Sequence, residues 1–150
     1  MKVLLISLLL IFSSSVSFGA TPSDSDLEQL FNKNRTLFIK LKDLIYSDLA
    51  KEDMLQVGKN VHIKPNISNQ KLESYISELE KISVQRLTAY RSTATNIETS
   101  FLVSSTGFVF GGCSSEIVHH QEGSPFIREW AEPYKIMELK GGWYAYTLCN

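Results

Sequence analysis

The first strong pattern in the chain is helical, because apolar residues recur three or four positions apart. They are Leu27, Leu30, Phe31, Phe38, Leu41, Leu44 and Ile45. This spacing predicts a helix over 26–46 with one buried face. Ser25, with Glu28 three residues later, has the pattern of a capping box at the start of this helix. Asn34 falls on the apolar face, so it needs a hydrogen-bond partner if it is buried.

A second apolar stripe at helical spacing follows, and it predicts a second helix. Its members are Leu72, Tyr75, Ile76, Leu79 and Ile82. Either Ser68 or Asn69 is suited to cap the first turn. Between the two helices, the sequence predicts one or two further helical turns over 48–56 and a short edge strand over 61–64.

Beyond the second helix the period of the pattern falls from about 3.6 to 2, which is typical of strands. The segment 85–91 alternates only weakly, and the clearer predicted strands cover 97–103, 108–110 with 116–120, 134–139 and 143–148. The segment 104–107 has the composition of a turn, and Gly141-Gly142 predicts a hairpin turn. The predicted fold class is therefore α+β, with two N-terminal helices packed on an antiparallel sheet of about four strands.

The N-terminus has the pattern of an export signal. Lys2 precedes a mainly apolar run over 3–12, and small residues lead to an expected cleavage site after Gly19. The run is shorter than the roughly 20 residues needed to span a bilayer. We therefore expect a signal peptide at 1–19 and a single α+β domain at 20–150, with no transmembrane segment after cleavage. The expected location is the periplasm or the extracellular medium.

The balance of charge argues against two classes of function. The chain has 15 basic and 16 acidic residues, and loss of Lys2 leaves 14 against 16, a net charge of −2. Nucleic-acid-binding proteins carry a basic patch, and this sequence has no basic cluster longer than a scattered pair. It also lacks the Lys/Arg-rich amphipathic face of membrane-surface helices. The expected partner is another protein or an envelope component, and not a nucleic acid.

The two cysteines, Cys113 and Cys149, both lie in the predicted mature chain. In an oxidising compartment, two thiols with one possible pairing most simply form a disulfide. The loop so closed has about 35 residues, and the chain-entropy model then gives on the order of 3.5 kcal/mol of stabilisation. The bond would also hold the C-terminus, which would otherwise fray.

An alternative hypothesis makes Cys113 a nucleophile with His119 or His120 as its base. Such a pair needs the imidazole within hydrogen-bond reach of the sulfur. Six or seven residues of straight strand separate the two groups by roughly 20 Å, so the chain would have to reverse sharply between them. This alternative predicts a small hydrolase or a metal-dependent enzyme centred on Cys113, His119 and His120.

The densest set of potential metal ligands is His119, His120 and Glu122, with His62 as a distant fourth. A metal site needs three or four ligands that converge on one point. Adjacent residues of a strand point to opposite faces, so His119 and His120 do not bind one ion together unless they lie in a turn. The sequence therefore predicts neither a metal ion nor another cofactor.

Aromatic residues concentrate in the last 50 positions of the chain, and most are expected in the core or in cross-strand pairs. In the last predicted strand, however, Trp143 and Tyr144 lie on opposite faces, and only one face can cover the helices. Exposed tyrosine and tryptophan side chains are typical of interfaces. The candidate binding surface consists of Trp130, Trp143, Tyr144 and Tyr146.

Several short segments of the C-terminal half carry a resemblance. They are Ile97-Glu98, Thr106-Gly107, Gly111-Gly112 and Gly142-Trp143-Tyr144-Ala145-Tyr146. In them the chain resembles small exported bacterial proteins of unknown function, in which a helical part precedes a sheet that ends in a Gly-x-Trp-Tyr type hairpin. The resemblance implies bacterial origin and an α+β fold, but no activity and no functional residues. The predicted function is that of an exported, disulfide-bonded binding module without enzymatic activity.

Overall fold

All the strands that the structure describes belong to one antiparallel sheet. The computed structural model describes residues 21–49, 52–61, 65–93, 96–107, 112–120 and 136–149, so the predicted signal peptide at 1–19 lies outside them. The helices are α1 (Asp24–Leu49) and α2 (Asn69–Lys81). The strands are β1 (Met54–Gly58), β2 (Arg86–Arg91), β3 (Ile97–Thr106), β4 (Cys113–His119), β5 (Met137–Lys140) and β6 (Trp143–Cys149). Their order in the sheet is β1-β2-β3-β4-β6-β5.

The number of strands and the order of the elements correct the predicted fold class. The chain is α+β, but the described residues form a sheet of six strands rather than about four. Among the described elements, one long helix precedes the first strand, because β1 separates α1 from α2. The predicted helical turns over 48–56 are wrong, since α1 ends at Leu49 and β1 follows. Leu55 and Val57, which are two positions apart, are both buried, and every residue of β1 pairs with β2. Pairing with β2 stabilises this segment as a strand, whereas one or two isolated turns of helix are not stable without tertiary packing.

α1 begins two residues earlier than predicted. The capping residue is Ser23, whose amide donates to Asp26 Oδ2 over 2.9 Å, while the Asp26 amide donates to the Ser23 hydroxyl over 3.2 Å. This is the reciprocal arrangement of a capping box, with aspartate in place of glutamate. Hydrogen bonding from Ser23 lowers the pKa of Asp26. Two such patterns overlap in the sequence, and the helix uses the first rather than the one that starts at Ser25.

Asn34 lies at a kink in α1, where its backbone leaves the helical range with φ −117° and ψ 16°. Its side-chain amide donates to the carbonyl oxygen of Leu30 over 3.0 Å, which provides the partner that a polar group on this face needs. Phe31 before the kink and Phe38 after it are both buried. The kink therefore leaves both halves of the helix packed on the sheet.

The core lies between α1 and one face of the sheet, and its centre is aromatic. The ring centroid of Phe38 lies 4.9 Å from that of Phe101 and 6.0 Å from that of Trp143. The ring of Phe31 lies 5.1 Å from Trp143. All four side chains are at most 3% exposed. Because large side chains fill this face, a ligand site on the sheet has to use the opposite face.

β3 runs through 104–106, which the sequence predicts as part of a turn. These residues pair with β4, and a register shift after Leu102 marks a β-bulge in the ladder. The Thr106 hydroxyl lies 3.4 Å from the amide and 3.5 Å from the carbonyl oxygen of Cys113. Polar side chains therefore reinforce the pairing here instead of closing a turn. The predicted return strand at 108–110 lies outside the described residues.

Candidate functional site

The sheet face that points away from α1, named the polar face here, carries ionisable residues from several strands. Its principal members are Arg86, Tyr90, Glu98, Ser100, Leu102, Glu116, His120 and Tyr146. Side chains alternate between the two faces of a strand, so the adjacent core residues Leu87, Phe101 and Ile117 point towards α1. Successive cross-strand partners form one row across four strands, which consists of Arg86, Leu102, Glu116 and Tyr146.

Glu98 and His120 are buried in contact with each other on this face, and the half-buried Tyr90 joins them. The Tyr90 hydroxyl donates to Oε2 of Glu98, and Nδ1 of His120 lies 3.0 Å from the same oxygen. Burial lowers the pKa of His120, while the Glu98 carboxylate opposes this shift. Burial and then the hydrogen bond to Glu98 raise the pKa of Tyr90. Tyr90 therefore keeps its proton at neutral pH and helps to hold the carboxylate in one orientation.

Two hydroxyl groups hold Glu116. Its Oε2 accepts hydrogen bonds from the Ser100 hydroxyl and, over 3.1 Å, from the Tyr146 hydroxyl. Burial raises the pKa of Tyr146, and the charge of Glu116 adds to the effect, so this hydroxyl remains a donor. Neither donor is charged. These contacts therefore fix the position of the Glu116 carboxylate without compensating a negative charge on it.

A cleft of about 380 Å³ opens beside the row that contains Arg86 and Glu116. The described residues that line it are Asn60, Gln85, Arg86, Leu102, Ser105, Ser114 and Glu116. Nε of Arg86 is buried and has no hydrogen-bond partner among the residues that the structure describes. Cavities that bind small ligands have volumes of about 300–1,000 Å³ and a few convergent polar groups. The cleft is therefore the candidate functional site.

Cys113 and Cys149 are direct cross-strand partners in β4 and β6 and are joined by a disulfide, with an S–S distance of 1.99 Å and a Cα–Cα distance of 4.1 Å. Cys113 is thus not a free nucleophile. His119 stands at the other end of the seven-residue strand β4, roughly 20 Å away. The structure does not bring together the residues of the alternative thiol enzyme.

His119 points towards α1, opposite to His120. Its Nδ1 lies 3.2 Å from the Tyr46 hydroxyl, and its ring centroid lies 5.0 Å from that of Trp143. Burial, followed by the charge of Lys42, lowers the pKa of His119 to about 4. The imidazole is therefore neutral at physiological pH and serves as a packing and hydrogen-bonding group.

The set of potential metal ligands is divided in the fold. His119 and His120 face opposite sides of the sheet, and the other two members, His62 and Glu122, lie outside the described residues. Within the described ranges, no three His, Cys, Asp or Glu side chains are grouped to hold a metal ion.

Neither α1 nor α2 has the length and apolar character of a membrane-spanning helix.

The structure places the candidate aromatic surface residues in different environments. Trp143 is 3% exposed and packs between α1 and the sheet, because its ring fills the space beside Phe31. Tyr146 is 9% exposed on the polar face and is engaged with Glu116. Tyr144 is half-buried on the same face. Trp130 lies outside the described residues, so Tyr144 is the described member with the greatest surface access.

The charged residues of the cleft do not belong to any recognisable motif. The sequence indicates their position only through the alternation of polar and apolar residues along each strand. Arg86 precedes the core residue Leu87, and Glu116 precedes the core residue Ile117. This alternation assigns both charges to the polar face. It does not align the two residues with each other, because the cross-strand row follows from the pairing register.

Comparison with known proteins adds no family assignment, since no protein-family model, no curated protein and no solved structure matches the chain. The resemblance to small exported bacterial proteins therefore stays a prediction. A function has to be argued from the site itself rather than from the fold.

Proposed function

We propose that this chain is an exported, disulfide-bonded binding module without enzymatic activity, which binds a protein or an envelope component at its polar face. The observation that carries the proposal is the cleft of about 380 Å³, in which Arg86 and Glu116 present opposite charges beside hydroxyl and amide groups. A few polar groups that converge in a concave site determine which ligand is recognised. The arrangement suits the binding of a polar partner.

Two features favour binding over catalysis. Cys113, the candidate nucleophile, is in a disulfide. Each of the two candidate bases is already engaged by another side chain, His119 by Tyr46 and His120 by Glu98. A general base must come within hydrogen-bond reach of its substrate, and neither imidazole is among the described residues that line the cleft.

The exported location is supported by the N-terminal sequence and by the disulfide. A basic residue followed by a short apolar run is the pattern of a secretory signal. Disulfides persist in oxidising compartments such as the periplasm, and the bond between Cys113 and Cys149 ties the end of β6 to the start of β4. The proposed mature chain starts near Ala20.

The binding proposal is tested by affinity capture from a bacterial envelope fraction, with the oxidised protein covering 20–150 as bait. The matched bait is the double variant Arg86→Gln/Glu116→Gln, which removes both cleft charges and keeps the side-chain sizes. We expect a saturable partner that the wild type retains and that the double variant retains at least about tenfold less. The control bait is Glu28→Gln/Arg35→Gln, because both of these residues are exposed on α1.

The control bait is expected to retain the partner as the wild type does. Equal capture by the cleft variant, or no specific capture by any bait, would contradict the binding of a protein or an envelope component at the polar face. Turnover of an ester or peptide substrate by the wild type, lost in His120→Gln, would contradict the non-enzymatic assignment.

A further inference from the structure

Arg86 and Glu116 face the same cleft but do not pair with each other. They stand on β2 and β4 with β3 between them, so their Cα atoms are roughly 10 Å apart at the usual strand spacing. In the part of the chain that the structure describes, no ion pair includes either residue. Leu102, the middle residue of the row, lies between them and is 8% exposed. The cleft therefore has a positive side and a negative side, separated by an apolar floor.

The positive side has an unused donor. Nε of Arg86 is buried without a hydrogen-bond partner among the described residues, although buried donors in native proteins are nearly always paired. A guanidinium is a planar fork of donors that matches a carboxylate in two parallel hydrogen bonds. Because Arg86 lines the cleft, the remaining donors of its guanidinium are suited to bind a ligand carboxylate.

The negative side selects among carboxylate ligands. Glu116 is held by Ser100 and Tyr146, which leave a negative charge on it uncompensated. A simple anion at Arg86 would be repelled by this charge, whereas a ligand that also carries an ammonium group would be attracted. Charge complementarity thus favours a molecule with both charges over a phosphate or a plain carboxylate.

We infer that the cleft binds a small zwitterion of the amino-acid type, with its carboxylate on Arg86, its ammonium group towards Glu116 and its side chain over Leu102. This inference rests on the proposed function and names the class of ligand. The cleft volume of about 380 Å³ exceeds what the charged head group fills, which leaves room for an apolar side chain. Hydroxyl groups of Ser105 and Ser114 complete the polar lining.

The inference is tested by titrating the oxidised wild-type protein with three related compounds. L-leucine has both charges, N-acetyl-L-leucine lacks the ammonium group and L-leucinamide lacks the carboxylate. Binding is followed by amide chemical shifts in NMR spectra. We expect leucine to saturate the site and each derivative to bind at least about tenfold more weakly, since each has lost one charged partner. Equal affinities for all three compounds, or no saturable shift with leucine, would overturn the inference.

Single variants then separate direct contact from general damage to the site. Arg86→Gln should weaken leucine at least about tenfold without weakening leucinamide, while Glu116→Gln should weaken leucine without weakening N-acetyl-leucine. A variant that merely disturbs the cleft would weaken every compound alike, and that result would count against the assigned contacts. Arg35→Gln on the exposed surface of α1 is the matched control and should bind leucine as the wild type does.

Free amino acids and short peptides both carry a carboxylate and an ammonium group, and a dipeptide ligand distinguishes between them. Preference for leucine over leucyl-leucine assigns the site to free amino acids, and the reverse preference assigns it to short peptides; both outcomes support recognition of paired charges.

Failure of this inference can be told apart from failure of the proposed function. If envelope capture depends on the cleft but no zwitterion binds, only the ligand class is wrong, and if both experiments fail, the binding function is wrong as well.

Discussion

Glu98 and His120 face each other on the polar face, with Nδ1 of the imidazole 3.0 Å from Oε2 of the carboxylate and both side chains only 4% exposed. Tyr90 donates to the same oxygen. Burial of a polar group lowers the stability of the fold unless the group forms hydrogen bonds. When those bonds are formed the group stabilises one arrangement of the fold, and when they are missing it destabilises the protein. Here the carboxylate connects β3 to β2 and to the residue after β4.

Glu98→Ala should therefore destabilise the protein strongly. It removes the hydrogen-bond acceptor of Tyr90 and the carboxylate that contacts His120, at a cost of about 3 kcal/mol in unfolding free energy. Glu98→Gln keeps an acceptor oxygen and should cost about half as much. Urea unfolding monitored by circular dichroism measures the differences. Glu73→Ala, at an exposed position of α2, is the control, and a loss for Glu98→Ala as small as for this control would contradict the structural role.

The helices could largely be predicted from the sequence because their determinants are local. Apolar spacing identifies both, and Ser68 caps α2 by accepting a hydrogen bond from the Lys71 amide over 3.3 Å. The Gly141-Gly142 turn is also local, and it does connect β5 to β6. In contrast, β1 has only five residues, of which Leu55, Val57 and Gly58 are buried, and so short a segment forms a strand only when β2 is available to pair with it.

The cleft could not be predicted, because it depends on pairing between distant segments. Arg86, Leu102 and Glu116 become neighbours through two antiparallel registers and a β-bulge. A shift of one residue in either pairing would move a charge to the core face. Alternation in the sequence shows that these residues share a face, but only the register shows that they share a row.

The turn between β5 and β6 offers a matched pair of substitutions. Both glycines have positive φ angles, +64° at Gly141 and +78° at Gly142. A Cβ on Gly142 would lie 2.6 Å from the carbonyl oxygen of His120, whereas one on Gly141 would meet only the end of the Arg35 side chain at 3.8 Å. Gly141→Ala should cost about 1 kcal/mol from its backbone conformation alone, and Gly142→Ala about 3 kcal/mol because the clash is added. Thermal unfolding measures both, and equal losses would contradict the close approach at Gly142.

His119 should make stability depend on pH. Its pKa is about 4 in the folded protein and 6.5 in its ordinary state, so the unfolded chain binds more protons between these values. The contribution of His119 to stability is therefore complete above about pH 6.5 and is lost as the pH falls towards 4. Because the ring is partly solvated, the loss is on the order of 1–2 kcal/mol. His119→Gln should flatten the slope of unfolding free energy between pH 6.5 and 4, and an unchanged slope would contradict a buried neutral imidazole.

Removal of the disulfide should lower stability without changing the fold. The bond joins residues 36 positions apart, and the chain-entropy model gives a loss of about 3–4 kcal/mol in unfolding free energy for the double variant Cys113→Ser/Cys149→Ser. Wild-type protein in a reducing agent is the internal control and should match the variant. A midpoint of denaturation that neither change lowers would show that the bond does not stabilise the sheet.

The most direct test of an exported, disulfide-bonded protein is the intact mass of the chain recovered from its native compartment, measured before and after reduction. We expect a mass that begins near Ala20 and increases by two hydrogens on reduction, because Cys113 and Cys149 form the only bond available to reduce. A mass that includes residues 1–19, or one that reduction leaves unchanged because both thiols are free, would contradict the proposed export and disulfide.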